Sequence, residues 1–311
     1  MPSRRRRVVT AKRAFTAWAV AVFLFLYLPI AVMALFAFNK PSAVALEGFH
    51  GNVCDIPPSQ LGNMTVWNGF TTCWFSAGLH DPTYIPAIVT SVKIAAAAAI
   101  VSTVLGLAAA LALARMNKFL RVPFDSLVYL TLVVPEIVIA VASLIFFVQL
   151  PKYVPFFPPL GPWTIFFGQV VFGASLAMLI IRARFVGMGD SLEEAGYDLG
   201  SGRMSTFVQI TFPRLLPAII AAMLLTFTFS FDDYVLPAFT NGTTNTWPIV
   251  VYSAVRFGIT PAINALATVM LAITIAVIAA TGVFLRRSSA RVGASAEQEA
   301  DRAFGSVLSA P

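Results

Sequence analysis

The chain has 311 residues, of which 58% are hydrophobic and only 11% are charged. Soluble domains carry about 25% charged residues, so this composition excludes a soluble globular protein. The apolar residues form runs of roughly 20 residues, which is the length of a membrane-spanning helix, and they do not alternate with polar residues as β-barrel strands do. The net charge of +7 indicates membrane topology and attraction to anionic lipid rather than a nucleic-acid surface. The sequence therefore predicts an all-α integral membrane protein.

Six apolar segments are predicted to cross the membrane. They are 14–38, 85–114, 126–150, 163–181, 218–240 and 264–285. They define a basic N-terminus (1–13), a six-span transmembrane domain (14–285) and a tail that is predicted to be disordered (286–311). Most of the 21 Lys and Arg residues lie in segments on one side of these spans. Because basic residues accumulate on the cytoplasmic side, both termini are predicted to be cytoplasmic, and the first span is predicted to be an uncleaved anchor.

Residues 39–84 form a long segment on the opposite, extracytoplasmic side, and it contains both cysteines of the chain. An oxidising compartment favours a disulfide between Cys54 and Cys73, with two free thiols as the alternative. His50 and His80 lie in the same segment, but their intervals to the cysteines do not match those of common zinc sites. No metal or cofactor site is therefore predicted.

Three acidic residues lie inside predicted spans, where an ionisable side chain costs roughly 2.5–3.5 kcal/mol and usually faces a cavity or a partner. Glu136 is expected near the middle of the third span, and Asp232 and Asp233 in the outer third of the fifth. Adjacent helical residues do not share a face, so at most one aspartate is expected to point into a pathway, while the other meets a helix or a base such as Arg256. Carboxylates at successive depths favour a cationic cargo, and an internal structural pair or a protonated acid is the alternative.

Aromatic residues follow the aspartate pair in the sequence. Tyr234 and Trp247 could offer cation–π contacts to a cationic cargo, although packing against lipid or helices is the commoner role of such residues. The predicted substrate-pathway residues are Glu136, Ser230, Asp232, Asp233, Tyr234 and Trp247.

A short polar segment, 190–213, interrupts the apolar runs between the fourth and fifth spans. Acidic residues at its start suit the positive end of a helix, and Gly200 and Gly202 are expected to end that helix. Ala195 and Gly196 would leave one patch of the helix bare, so that it can sit closely in a groove. Helix signals alone leave a solvated cytoplasmic linker as the alternative.

This segment, "EAGYDLGSGRMSTFVQITFP", closely resembles the EAA signature of ABC-importer permeases. That signature reads Glu-Ala-Ala, three residues, Gly, nine residues, Ile, one residue, Leu-Pro. Gly196 and Phe212 depart from it by replacing Ala and Leu. The resemblance implies the six-span, MetI-like fold of type I importers and a coupling helix that docks into a cleft of a cytoplasmic ATPase. The ATPase-coupling residues that it implies are Glu194, Ala195, Gly196, Gly200, Ile210 and Pro213.

A second resemblance concerns the cargo. The stretch "SFDDYVLPAFTNGTTNTWPIVVYSAVRFGITPAINALAT" is similar to the second membrane subunit of the spermidine/putrescine permeases, and "WNGFTTCWF" and "PEIV" also fit. This resemblance implies import of polyamines. Relatives that carry ferric iron, thiamine or phosphonates share the EAA segment, so these cargoes remain alternatives. The long outer segment with two cysteines departs from the family.

The chain contains no G-x-x-x-x-G-K-[ST] sequence, so it is predicted to bind no cofactor and not to hydrolyse ATP. The resemblance implies that ATP and Mg²⁺ bind to a partner. The implied complex, in the cell membrane, has a second permease subunit in a heterodimer, two ATPase subunits and an extracytoplasmic solute-binding protein.

Two other classes remain as rivals. A secondary carrier would use Glu136 and the aspartates as proton sites, but the chain shows no convincing internal repeats. An intramembrane aspartyl protease would use the "GMGD" and "YD" motifs at 187–190 and 197–198. Those motifs lie in one arginine-rich loop instead of on separate spans, which disfavours the protease.

Overall fold

The computed structural model describes residues 3–42, 66–189, 191–257 and 260–276. The chain divides into two compact units, Met1–His80 with Gly258–Pro311 and Asp81–Phe257, and each is described by itself. The helices are α1 (Ser3–Phe36), α2 (Cys73–His80), α3 (Tyr84–Arg115), α4 (Lys118–Val133), α5 (Glu136–Gln149), α6 (Pro162–Val186), α7 (Ser191–Asp198), α8 (Arg203–Asp232), α9 (Val235–Thr240), α10 (Trp247–Phe257) and α11 (Pro261–Ala276).

Within the described residues, four helices are long and apolar enough to cross a membrane: Phe15–Phe36, Tyr84–Arg115, Pro162–Val186 and Arg203–Asp232. The pair Lys118–Val133 and Glu136–Lys152 adds a fifth crossing if it is counted as one span. The described part of the sixth predicted span is the shorter apolar helix α11. The all-α, multi-pass membrane architecture is therefore confirmed.

Several predictions fall on residues that the structure does not describe. They are Cys54, Asp190, the end of the sixth span (277–285) and the tail (286–311). The disulfide between Cys54 and Cys73 and the division into N-terminus, transmembrane domain and tail stay predictions.

The first unit is organised around Trp74 in α2. Its indole Nε1 donates a hydrogen bond to the backbone oxygen of Asn39 at 2.8 Å, and its ring packs with Ala37 and Ala265 in a buried cluster. Gly78 allows α2 to approach α11, because a Cβ at that position would lie 2.9 Å from Cγ of Leu266. The segment after α1 is thereby held against α11.

The core of the second unit consists of the three long helices α3, α6 and α8. Small residues allow α3 and α6 to approach closely, as is common between membrane helices. A Cβ on Gly106 would lie 2.7 Å from the backbone nitrogen of Met178, and a Cβ on Gly173 would lie 2.6 Å from Oγ of Ser102. The guanidinium of Arg182 on α6 forms a bidentate ion pair with Asp125 on α4.

Two of the predicted spans are broken instead of continuous. The third predicted span, 126–150, divides at Pro135 into α4 and α5, which are bent by 103°. Pro135 lacks an N–H group and keeps its preceding residue out of the helical region, and Val134 has φ −60° and ψ 130°. The fifth predicted span, 218–240, ends its long helix at Asp232 and resumes as α9 after Asp233, which has φ −65° and ψ 121°.

Candidate functional site

A small polar cavity lies where the two broken spans meet α6. Its volume is about 20 Å³, enough for one group the size of a water molecule. Phe172 and Phe229, whose stacked ring centroids are 4.9 Å apart, contribute to its apolar wall. The polar residues of its lining are Glu136, Gln169, Thr226, Ser230 and Asp233.

Both carboxylates of the cavity come from helix breaks. Glu136 is the first residue of α5, where the positive end of the helix dipole favours a negative charge. Asp233 lies between α8 and α9, and its Oδ1 accepts a hydrogen bond from the backbone N–H of Leu236 at 3.2 Å. The breaks therefore place two acidic groups beside each other inside the bundle.

The carboxyl groups of Glu136 and Asp233 are close enough to interact directly. The expectation that the carboxylates stand at successive depths does not hold for Glu136 and Asp233, because these two line the same cavity. That expectation assumed a rise of 1.5 Å per residue along unbroken helices, and both helices are broken at these residues. Two neighbouring carboxylates repel each other unless a proton or a cation lies between them, so the arrangement is suited to a positively charged group.

Gln169 on α6 connects the cavity residues, and the sequence analysis missed it. Its Nε2 donates to the backbone oxygen of Ser230 at 3.0 Å and lies 3.5 Å from Oδ2 of Asp233. Its Oε1 accepts a hydrogen bond from the hydroxyl of Ser230. Gln169 is buried, so its amide fixes the end of α8 relative to α6. The signal was present in the sequence, since Gln169 is the only residue with an amide or charged side chain in the predicted fourth span, 163–181.

The helix α9 is held against α6 next to this cavity. The hydroxyl of Thr164 donates to the backbone oxygen of Thr240 at 2.7 Å. Gly168 leaves room for Leu236, because a Cβ on Gly168 would lie 2.8 Å from Cδ2 of that leucine. These contacts fix the position of the short helix that follows Asp233.

The other predicted pathway residues lie elsewhere in the unit. Asp232 is exposed and does not line the cavity. Tyr234 stacks on Tyr252 with ring centroids 4.3 Å apart in a separate pocket of about 210 Å³ that also includes Arg256. Trp247 is buried, and its backbone N–H donates to Oγ of Ser91 at 2.8 Å. Of the six predicted residues, the structure brings together Glu136, Ser230 and Asp233.

The polar segment between the fourth and fifth spans forms the helix α7, Ser191–Asp198, as far as the described residues show. Gly200 ends it, with φ +82°, a conformation that glycine adopts readily. The N–H of Ser201 donates to the oxygen of Gly196 at 3.0 Å, and that of Gly200 to the oxygen of Tyr197 at 2.9 Å. These two bonds form the Schellman motif typical of a helix C-terminus.

The expected bare patch of Ala195 and Gly196 is not one surface. Ala195 and Glu194 are exposed, whereas Gly196 is buried against the start of α8. A Cβ on Gly196 would lie 3.1 Å from Cδ1 of Ile210 and 3.4 Å from Cγ2 of Thr206. The expectation treated α7 as an isolated helix, but its glycine face packs on the same chain.

A hydrogen bond adds to this contact between α7 and α8. The buried hydroxyl of Thr211 donates to Oε1 of Glu193. Thr211 is the last residue of a π-helical turn, Phe207–Thr211, and such turns are frequent at functional sites.

The helix α8 continues from this turn past Pro213 to Asp232, so one element connects α7 with the polar cavity. Between Thr211 and Ser230 the distance along the helix is roughly 28 Å.

Comparison with known proteins identifies the family. Residues 102–293 match the family described as binding-protein-dependent transport system inner membrane component. The chain is 33% identical over 260 residues to the putrescine transport system permease protein PotI of Escherichia coli (strain K12), which covers 82% of this chain and 85% of that protein. It is 29% identical over 268 residues to the spermidine/putrescine transport system permease protein PotC of the same strain, which covers 86% and 91%.

A solved structure shows the same fold. It is the crystal structure of a bacterial ABC transporter involved in the import of the acidic polysaccharide alginate, with a TM-score of 0.61 and 14% sequence identity, covering 91% of this chain and 97% of that chain. Together with the match over residues 102–293, these similarities show that the chain belongs to the family of inner membrane components of binding-protein-dependent transport systems.

Proposed function

We propose that the chain is the permease subunit of an ATP-driven importer that carries polyamines, putrescine or spermidine, into the cytoplasm. The observation that carries the proposal is the pair of carboxylates, Glu136 and Asp233, on one small cavity at two helix breaks. The names of the relatives PotI and PotC support the same cargo.

The size of the cavity suits the chemistry of this cargo. A volume of about 20 Å³ holds one ammonium-sized group and not a whole polyamine. A polyamine is a flexible chain whose ammonium groups are separated by methylenes, so it can pass such a point one charge at a time. Two carboxylates beside an apolar aromatic wall match an ammonium group followed by methylenes.

The energy for transport comes from a partner in this proposal. The chain has no sequence for a phosphate-binding loop, so a separate ATPase binds ATP and Mg²⁺ and hydrolyses it, and this chain is not an enzyme. The helix α7 presents Glu194, Ala195 and the exposed side chain of Leu192 as the surface for that ATPase, and the exposed Leu199 that follows the helix adds to it. Closure of the ATPase would move α7, and α8 would carry the movement to the cavity.

The complete importer then contains a second permease subunit, two ATPase subunits and an extracytoplasmic solute-binding protein. Both termini of this chain, together with α7, face the cytoplasm, because most basic residues lie on that side of the predicted spans. The segment 39–84 faces the binding protein.

The test is uptake of radiolabelled putrescine and spermidine by the purified complex in proteoliposomes, with and without ATP inside. We expect ATP-dependent uptake of at least one polyamine and none of thiamine or ferric iron. The variant Glu136→Gln should lose uptake about tenfold or more, because it removes one charge-assisted contact worth roughly 1.5–3 kcal/mol, while the complex still assembles. Polyamine uptake that needs no ATP but collapses with an uncoupler would make the chain a secondary carrier.

A further inference from the structure

A groove between α3 and the start of α8 is not part of the polar cavity or of the α7 surface. Its volume is about 450 Å³. One wall is the last two turns of α3 and the other is the first turns of α8. The residues that line it are Leu111, Ala112, Arg115, Arg203, Met204 and Phe207.

The charge of this groove is entirely positive. Arg115 and Arg203 enter it from opposite walls, and both are exposed. No Asp or Glu belongs to its lining among the described residues. The ion pairs found in the described part of the chain join Asp125 to Arg121 and Arg182, and neither groove arginine takes part in them. Two guanidinium groups on facing walls form a site for an anion, since guanidinium matches the geometry of phosphate oxygens.

An exposed apolar stripe on α3 leads directly to this site. Its residues recur at the three- and four-residue intervals that place side chains on one helical face. They are Val101, Val104, Leu105, Ala108 and Ala112, all exposed, followed on the same face by Arg115. Within the groove, Met204 is 76% exposed and continues the apolar surface on the side of α8. A ligand that fits has an anionic head at the arginines and a long apolar chain along the stripe.

We propose that this groove binds an anionic phospholipid. Its phosphate lies between Arg115 and Arg203, and an acyl chain lies along the stripe from Ala112 towards Val101. Both arginines stand at the ends of membrane helices, α3 and α8, which is the level of lipid headgroups when these helices span the bilayer. An acidic protein surface would satisfy the arginines but would leave the apolar stripe without a matching chain.

Binding at this place has a consequence for the proposed transport cycle. Arg115 ends α3, and Arg203 begins α8. Arg203 lies five residues after Asp198, the last residue of α7. A phosphate between the two arginines would tie the start of α8 to α3. We therefore expect the lipid to affect how movement of α7 is transmitted to α8. This expectation rests on the proposed function, whereas the proposal that the groove binds a lipid does not.

The experiment measures the lipid retained by the purified full-length complex. The complex is exchanged into nanodiscs of phosphatidylcholine mixed with phosphatidylglycerol, and the lipids that remain bound after delipidation are quantified by mass spectrometry. The unchanged protein should retain phosphatidylglycerol in preference to phosphatidylcholine. Arg115→Gln and Arg203→Gln should each lower that retention about fivefold, the effect of one basic residue at an anionic membrane surface. The control Arg184→Gln removes the same charge from an exposed position on α6 outside the groove and should leave retention unchanged.

Two further arms separate the lipid from other ligands. Glycerol phosphate has the anionic group without acyl chains and should not displace bound phosphatidylglycerol. Met204→Ser, which keeps both arginines, should also lower retention. Displacement by glycerol phosphate, equal losses in Arg184→Gln, or loss of ATPase subunits from the two groove variants with full lipid retention would each overturn the proposal. None of these results would change the outcome expected in the polyamine uptake assay, so either proposal can be refuted while the other stands.

Discussion

The two ends of α8 are built in different ways. At its start, α7 packs on it through a buried glycine, Gly196, and through the hydrogen bond between Thr211 and Glu193. At its end, the helix stops at Asp232, and the chain turns at Asp233 into a separate short helix that polar side chains hold in place. The first contact is closely packed around a glycine, whereas the second is made by polar side chains and leaves a cavity.

This difference matches two different mechanical tasks. Close packing without space resists relative movement, because protein interiors have low compressibility and transmit strain. A helix break that is held by a few hydrogen bonds has more than one way to satisfy them, since Gln169 contacts both Ser230 and Asp233. We infer that the start of α8 receives movement as a rigid joint and that its end converts the movement into a change of the polar cavity.

The largest effect is expected from Asp233→Asn. It removes a charge from the cavity but keeps an oxygen that can accept the N–H of Leu236, so the start of α9 is preserved. Polyamine uptake should fall tenfold to a hundredfold, as for loss of a charge-assisted contact. The matched control is Asp232→Asn, which removes the neighbouring exposed charge. Equal losses in the two variants, measured as initial uptake rates at equal assembly, would contradict the assignment of Asp233 to the cavity.

A second prediction concerns the rigid joint. Gly196→Val would place side-chain atoms against Ile210 and Thr206, and overpacking of this kind costs roughly 1–3 kcal/mol. ATP-dependent uptake should fall about tenfold, while ATPase activity of the complex continues. The adjacent variant Ala195→Val adds the same side chain at an exposed position and tests the outer surface of α7. Normal coupling in Gly196→Val would show that α7 and α8 need not pack closely.

The sequence predicted the α-helical membrane fold and the family because both depend on long or local patterns. Apolar runs identify spans through their length alone, and the EAA segment is a continuous motif whose Gly200 ends a helix for a local reason. Pro135 is a local signal for the break before Glu136, since a proline restricts the residue that precedes it, but the span 126–150 was predicted as unbroken.

Other features depend on contacts between distant segments and could not be derived in this way. The break at Asp233 contains no proline or glycine, and it depends on hydrogen bonds to Leu236 and to Gln169 on another helix. The burial of Gly196 depends on how α7 packs against the π-helical turn of α8. For the same reason, depths counted along ideal helices placed Glu136 and Asp233 at different levels although they share one cavity.

A third prediction concerns the polar connection at the end of α8. Gln169→Leu would keep a similar volume but leave the partly buried hydroxyl of Ser230 without the oxygen that it contacts. An unsatisfied buried polar group costs roughly 1–3 kcal/mol, so thermal stability of the complex should fall and uptake should decrease about fivefold. Gln169→Glu keeps the acceptor for Ser230 but adds a third carboxylate beside Asp233. Because that carboxylate lacks the Nε2 donor and repels Asp233, Gln169→Glu should lower the melting temperature at least as far as Gln169→Leu. Melting temperatures equal to that of the unchanged protein in both variants would contradict the role given to this amide.

The smallest effect is expected from the hydrogen bond at the start of α8. Thr211→Val removes the hydroxyl that donates to Glu193 while it keeps the shape of the side chain, and Glu193→Ala removes the acceptor. A hydrogen bond contributes about 1 kcal/mol, so each variant should lower the ratio of polyamine transported to ATP hydrolysed by about two- to fivefold. The double variant should be no worse than the poorer single variant, because both changes remove the same contact. Additive losses would mean that Glu193 and Thr211 act separately, and the joint between α7 and α8 would then depend on Gly196 alone.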